Sequence, residues 1–509
     1  MRGIRAVVNQ RAGLAKLPTR AGDPLTDTKS DIPDRFQWDW ITVALGVILV
    51  LALGIRAWRI GAQSLWHDEV LTTLSATVPF SQVVDSVQRN ENKPPLYFLV
   101  MKLWVRAAGL SEAALRWPSA LFGVGAVAVI YLMGRDLFDD RRVGLIAALL
   151  LAFSRYHIAY SQEARTYSLM FLLILLACWF AVRMIRWNRA GDQIGYVLSA
   201  AAAMYAHPFA AFALLALNVF YVLCFAIGPK PFTPLGRWII LQFAFSLLFW
   251  PWLAKTWLVV QTGLPWIMKS TSFPDALLSY AGSGPLLALL VVLIGVAIGY
   301  GLARRERGIV LLALLLLLPI FGPLAFASRL YQTFIPRYGI AVVGALMLLA
   351  AYGVARLRPW ATVLICATYV AISLARFNPG YGNYPGAEPK ADIRAAARHI
   401  LANAKPGDAV WNPAEMLFAR PINHYLGKSG LTLLDQRDAP DAERFPRVWV
   451  VYGVSPGTPP VPKGYGSFRQ VPFNGLVLFE FAGREPQSVP HVTQHSTQPV
   501  SSATVPAPR

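Results

Sequence analysis

Residues 117–134, WPSALFGVGAVAVIYLMG, and residues 143–158, VGLIAALLLAFSRYHI, lie either side of the short charged connector RDLFDDRR at 135–142. About 17 to 20 apolar residues cover the roughly 30 Å of a bilayer's hydrocarbon, so this stretch reads as two membrane crossings joined by a tight, basic loop. The pattern recurs. Further apolar runs at 41–58, 167–185, 194–206, 209–227, 238–254, 285–303, 309–327, 338–355 and 360–376 lead us to expect an α-helical polytopic membrane protein with about eleven transmembrane helices.

Composition agrees, with 55% hydrophobic residues and a mean hydropathy of +0.45, above the soluble average. The net charge of +20 could suggest nucleic acid, but its distribution argues against that. Basic residues fill the short connectors: Arg135, Arg141 and Arg142; Arg183, Arg186 and Arg189; Lys230 and Arg237; Arg304, Arg305 and Arg307; Arg356 and Arg358. Such loops are cytoplasmic under the positive-inside rule. The cysteines Cys178, Cys224 and Cys366 lie in apolar runs, where they act as small hydrophobes, so neither a disulfide framework nor a zinc signature follows.

The basic segment 1–39 precedes an apolar run without a small-residue cleavage site, so the first crossing is expected to be an anchor with the N-terminus cytoplasmic. Residues 40–376 then form the membrane domain, with a long first external loop at 59–116. That loop carries SLWHDEVLTTLSA, PFSQVVDSVQRNENK and PPLYFLVMKLWVRAAG, amphipathic pieces expected to lie as helices in the interface plane. Residues 377–484 read as a small external α/β domain: a polar helix in AEPKADIRAAARHILANA and strands at AVWNP, RVWVVYG and GLVLFEFAG. The tail 485–509, rich in Ser, Thr, Pro and Gln, is expected to be disordered.

Charge near a bilayer is costly, so acidic and basic groups gathered at one face suggest a site. Topology delivers Asp68 and Glu69, Glu91 and Lys93, Glu163 and Arg165, His207 and Arg337 to the external side. Each also has a plainer reading. Asp68 and Glu69 suit the solvated first turn of a helix, His207 before Pro208 suits a helix cap, Arg337 a snorkelling cation, and Tyr97, Tyr160 and Tyr167 suit belt or packing aromatics. His67, Glu91, Glu163 and His207 could ligate a divalent metal, but no His-x-x-x-His or cysteine pair demands one.

Read in order, Trp66-x-Asp68-Glu69, then Asn92-Lys93-Pro94-Pro95-Leu96-Tyr97, then the 115–154 stretch and Tyr160-Ser161-Gln162-Glu163-Ala164-Arg165-Thr166-Tyr167 resemble the family 39 glycosyltransferases of the GT-C superfamily. The chain is similar there to protein O-mannosyltransferases and to the aminoarabinose transferase of lipid A. The resemblance covers about residues 55 to 185, with looser support from His207-Pro208 and Arg337-Tyr338. It implies a GT-C membrane fold in a bacterial plasma membrane, and transfer of a sugar, with inversion, from a polyprenyl-phosphate donor, typically undecaprenyl phosphate. The acceptor would be a lipid, glycan or protein on the periplasmic or outer side.

The resemblance carries the catalytic acidic role to Asp68, with Glu69 beside it, and places Lys93 near donor phosphate. Here Asn92 separates Glu91 from Lys93, which departs from the acidic-Lys-Pro pattern and weakens Glu91 as a ligand. Chemistry agrees: a base must take the acceptor proton, and a carboxylate held partly out of water has a raised pKa suited to that. Lys93, Arg165 and Arg337 are candidate clamps for the leaving phosphate, with Glu163, Tyr97 and His207 as further donor-side residues. A transporter or flippase is the competing class, but no internal repeat or charged midplane helix supports it; a polysaccharide polymerase or ligase would differ mainly in its acceptor.

Overall fold

In a computed structural model of the chain, the described residues are 39–91, 93–227, 231–262, 271–327, 336–375, 390–412, 416–427, 429–434, 444–453, 465 and 467–482. The expected cytoplasmic segment, apart from its last residue, the expected disordered tail and Asn92 lie outside them. The chain divides after Trp40 into two units, and the second, Ile41–Arg509, contains the helical bundle and the sheet.

Helices α1 (Trp40–Ala57), α2 (His67–Thr77), α3 (Val83–Asn90), α4 (Leu96–Ala108), α5 (Glu112–Phe138), α6 (Arg141–Ala152), α7 (Arg155–Ser161), α8 (Tyr167–Trp187) and α9 (Ala190–Ala206) come first. They are followed by α10 (Ala210–Ile227), α11 (Leu235–Thr262), α12 (Phe273–Ala281), α13 (Gly284–Ala303), α14 (Arg307–Ala327), α15 (Ala341–Val354) and α16 (Pro359–Ala375). Among the described residues five helices, α1, α5, α8, α10 and α13, are long and apolar enough to cross a bilayer; α6 and α7 would make a sixth as one span bent by 63°.

Further apolar helices, at Arg307–Pro323, Ala341–Val354 and Pro359–Ala375, lie at other expected crossings. Several expected crossings are built as shorter helices: α15 has 14 residues, all of them buried, and at 1.5 Å per residue it spans only about 21 Å. It is a core helix, packed against α6, α13 and α14 rather than facing lipid. The expected straight crossing at 143–158 is likewise corrected to two helices. Ser154 breaks it by capping α7, its Oγ accepting from His157 N, while the freed carbonyl of Ala152 accepts from the guanidinium of Arg56 at 3.1 Å and that of Leu151, which also accepts from Ser154 N, at 3.4 Å. Helix ends need such partners wherever water is excluded.

The α5–α6 hairpin is set by its connector. Asp139 closes α5 in the left-handed region (φ 53°), and the Asp140 carboxylate accepts from Arg142 N to open α6. Their backbones meet at Gly144, where a Cβ would lie 2.4 Å from the Tyr131 carbonyl, so only glycine permits this approach.

The three pieces of the first loop are helices α2, α3 and α4. The last has 13 residues, about 20 Å, too short to cross. The C-terminal residues form α17 (Ile393–Asn403), α18 (Met416–Leu426) and strands β1 (Ala409–Trp411), β2 (Thr432–Leu434), β3 (Arg447–Gly453), β4 (Ser467–Phe473) and β5 (Leu476–Ala482). The sheet order is β2-β1-β3-β5-β4, parallel in the first three strands and antiparallel in the last two. Alternation along a strand sends successive side chains to opposite faces. Trp449, Val451 and Leu478 therefore pack on Ile393, Ile400 and Ile422 of the two helices, and Val448, Val450, Phe479 and Phe481 form the core of the other face.

This sheet unit docks on the first loop. Ser64 Oγ donates to Ala391 O, Leu65 N to the Tyr425 hydroxyl, and Arg394 to the carbonyls of Gly61 and Ala62 and to Glu112.

Candidate functional site

Asp68 and Glu69 occupy the first turn of α2, where the helix dipole favours negative charge, yet their environments differ sharply. Glu69 is wholly buried. Its Oε1 accepts from Arg116 Nε at 2.7 Å and Ala164 N at 2.9 Å, and its Oε2 from Arg116 Nη2 at 2.8 Å and Trp66 N at 3.4 Å. Burial opposes the charge, but Arg116, Lys390 and these hydrogen bonds prevail and bring the carboxyl down to about 2. Arg116 also donates to the carbonyls of Ile60, Gln63 and Ser64. The pair thus folds the first loop over α2 and leaves Glu69 little capacity for chemistry, so the catalytic expectation for it does not fit this geometry.

Asp68 keeps part of its side chain exposed. Its Oδ2 lies 3.5 Å from Arg165 Nη2 and 3.7 Å from Arg337 Nη1, paired in charge but loosely held. Here the expectation of a raised pKa is corrected. Burial does push that way, but Arg165, Arg337, Lys93 and His67 outweigh it and hold the carboxyl well below the usual range.

The cations are themselves fixed. Arg165 donates from Nη1 to Asp68 O at 2.7 Å and from Nη2 to Glu91 Oε2 at 2.7 Å, and its own carbonyl accepts from Ser119 Oγ, which pairs with the Tyr97 hydroxyl at 3.0 Å. Lys93 donates to Glu91 at 3.1 Å. Glu91, discounted on the intervening Asn92, therefore sits at the centre as counter-ion to both. Arg337 lies over the rings of Trp66, Tyr167 and Tyr338 at 5.7 to 5.9 Å, desolvated enough for cation–π attraction to matter.

His207 is buried against Tyr167, Phe209 and Tyr338, its Nδ1 accepting from Phe209 N. Burial first, then Lys93, Arg165 and Arg337, keep its ring well below the ordinary histidine pKa and hence neutral. Glu163 pairs through Oε1 with Lys390 at 2.9 Å. Among the described residues no three His, Cys, Asp or Glu side chains gather as a metal-binding group. His67, Glu91, Glu163 and His207 are thus not brought together as one.

Several buried polar atoms here have no hydrogen-bond partner among the described residues: Trp66 Nε1, Tyr167 Oη, Arg165 Nε and Glu163 Oε2. Leaving such a group unmet costs about 1–3 kcal/mol, which marks this as a place built for a polar ligand. Sequence reasoning missed Lys390 and Arg116. Lys390 is a single lysine far along the chain; Arg116 had a local signal, an arginine at the head of an apolar run.

The helical bundle and one stretch of its sequence are similar to known proteins. Residues 92–254 match the family described as dolichyl-phosphate-mannose-protein mannosyltransferase; no curated protein matches in sequence. Among solved structures, ArnT from Cupriavidus metallidurans in the apo state is 12% identical with a TM-score of 0.56, covering 88% of this chain and 99% of its own. The same protein bound to undecaprenyl phosphate gives 11% and 0.55, covering 87% and 98%. The Archaeoglobus fulgidus oligosaccharyltransferase in its apo form gives 10% and 0.52, covering 81% of this chain and 69% of its own. At these identities the likeness is one of fold.

Proposed function

We propose that the protein is a glycosyltransferase that moves a sugar from a polyprenyl-phosphate donor, undecaprenyl phosphate in a bacterial membrane, to an acceptor at the non-cytoplasmic face. The supporting observation is the convergence of Arg165 and Arg337 on the Asp68 carboxylate, with Lys93 adding to the same field. The match to a lipid-phosphate-dependent family and the ArnT neighbour holding undecaprenyl phosphate support the donor class.

In the proposed reaction an acceptor hydroxyl attacks the anomeric carbon. The new C–O bond forms as the bond to the phosphate oxygen breaks, the hydroxyl proton passes to Asp68, and polyprenyl phosphate departs with the bonding pair. A leaving phosphate needs cations more than a proton, and Arg165, Arg337 and Lys93 supply them without reorganisation. A direct displacement of this kind inverts the anomeric centre. Because the same cations depress the Asp68 pKa, the arriving phosphate shares their charge and leaves Asp68 a stronger base only once the donor is in place.

Purified wild-type and Asp68→Asn protein, incubated with radiolabelled polyprenyl-phosphate sugars and a membrane extract, test this. Label should move with wild type, and Asp68→Asn should fold and insert normally but transfer about 10²- to 10⁴-fold more slowly. Normal turnover in the variant would remove Asp68 from the mechanism; no movement of label by folded wild type with any donor would overturn the function.

A further inference from the structure

Helix α8 joins two faces of the bundle. Its first residue, Tyr167, lies beside Lys93 and Arg337 in the site around Asp68. Its last, Trp187, closes a span of 21 residues, about 30 Å away at 1.5 Å per residue, which is the thickness of a bilayer's hydrocarbon. At that far end the guanidinium carbons of Arg183, Arg186 and Arg189 lie 5.2, 5.4 and 5.8 Å from the Trp187 ring centroid. We propose that this corner between α8 and α9 binds one anionic phospholipid, seated in the leaflet opposite the Asp68 site. The corner takes part in no step of the proposed reaction, so the two readings stand or fall separately.

Charge is the first argument. Three like charges around one indole repel one another unless something balances them. The acids at this corner, Asp136 and Asp192, are already engaged. Arg183 donates to Asp192 Oδ1 at 2.6 Å and to Asp136 Oδ2 at 3.3 Å, and Arg135 donates to Asp136 Oδ1 at 2.6 Å. Arg186 donates to a neutral oxygen, the carbonyl of Asp136, and Arg189 is exposed; neither has an ion-pair partner among the described residues. Two guanidiniums are thus held together without an anion, an arrangement suited to a phosphate.

Rigidity is the second argument. Asn188 turns the chain in the left-handed region (φ 50°), and its Oδ1 accepts from Gln193 Nε2 at 2.8 Å. Thr233 Oγ1 donates to Met184 O at 2.7 Å and lies 3.1 Å from Asn188 Oδ1, while Phe232 N donates to Ile185 O. The segment before α11 therefore braces the last turn of α8. The arginines stand on a turn that is fixed before any ligand arrives, which spares binding the cost of ordering it.

The surroundings select a lipid over a soluble phosphate. Trp187 is 40% exposed, and an exposed tryptophan at the end of an apolar span marks the headgroup level. Past Arg189, α9 presents Ile194 and Leu198, both exposed and four residues apart, on one flank. A phosphate on Arg186 and Arg189 places its acyl chains along that flank. A choline headgroup brings its own cation, which these arginines repel, so the occupant is a phospholipid with net negative charge.

The test uses full-length protein, stripped of lipid in detergent and mixed with dioleoylphosphatidylglycerol or dioleoylphosphatidylcholine, with native mass spectrometry counting the lipid that stays bound. Wild type should retain one phosphatidylglycerol in preference to phosphatidylcholine. Arg186→Gln combined with Arg189→Gln should weaken that binding about tenfold or more. Arg304→Gln combined with Arg305→Gln, which removes two charges from a different basic connector, should leave it as in wild type. Arg189 makes no side-chain hydrogen bond among the described residues, so Arg189→Gln alone should fold normally and still bind more weakly, which decides the matter if the double variant does not fold. Unchanged binding in the Arg186 and Arg189 variants, or equal loss in both double variants, would overturn the site. Equal retention of the two lipids, or release of phosphatidylglycerol by millimolar inorganic phosphate, would overturn an anionic lipid as its occupant.

Discussion

Two adjacent carboxylates with opposite fates summarise the chemistry at the scale of single residues. Glu69 is spent on Arg116, so Glu69→Gln leaves a buried guanidinium uncompensated; a loss of about 3–5 kcal/mol is expected, read as a lower unfolding midpoint in the variant than in wild type. The sign of its pH dependence follows from its depressed carboxyl. The stabilisation is complete above the unfolded value near 4.5 and is lost as pH falls toward about 2. Asp68 makes a kinetic prediction. Because its pKa is held down in the free protein, kcat/KM should stay flat from pH 8 down to about pH 5. Once donor phosphate shares the cations, kcat should acquire an acid limb at a higher pH. An identical limb in both profiles would contradict the charge-sharing argument. The adjacency of Asp68 and Glu69 was legible in the sequence, but their division of labour was not, because it depends on Arg116 and Arg165 arriving from other helices. Glu91 was underrated for a similar reason: Asn92 breaks the linear pattern, while the folded chain still brings Glu91 to Arg165.

Among the elements, the bent pair α6–α7 governs the site, since α7 leads directly into the segment that carries Glu163 and Arg165. Arg56 stabilises that bend, donating to the carbonyls of Ala52, Leu151 and Ala152 and contacting His157 and Ser161. Arg56→Leu leaves the Ala152 carbonyl at the break unmet, since the Leu151 carbonyl still accepts from Ser154 N, and should cost about 1–3 kcal/mol. Amide exchange rising first in residues 152–161 would locate the damage, whereas uniform loosening would argue against a local role. Apolar length announced α5, α8, α10 and α13, and amphipathic spacing announced α2 to α4. It did not announce the break at Ser154, because a serine between Phe153 and Arg155 is an ordinary end of an apolar run until Arg56 is seen beneath it. Strand β4 was hidden by Pro472, which an edge strand tolerates, and α18 by Pro421 within it.

Over the whole molecule, the sheet unit and the first loop close around one region from opposite parts of the chain. The link is polar and specific: Arg394 joins Glu112 and two loop carbonyls, and Lys390 joins Glu163. Arg394→Glu should therefore raise amide exchange at residues 60–65 and slow transfer, while amide exchange at residues 447–453, in the sheet's own core, stays as in wild type. Faster exchange there would mean that the substitution had unfolded the sheet unit instead. None of this docking could be read in advance, because nothing local to Lys390 or Arg394 distinguishes them from other cations at the start of a polar helix.

The first membrane helix is lightly held. Of its eighteen residues only Ile48, Ala52 and Arg56 are buried, a single line of contacts one turn apart. What ties α1 to its neighbours is thus confined to one side, these three positions with Ile41, Leu45, Leu49 and Ile55 packed beside them, and the opposite flank is free to vary with the surrounding lipid. The helix should be interchangeable with any apolar span that keeps this line, and a chain severed within the first loop should reassemble from its two parts when both are made in the same membrane.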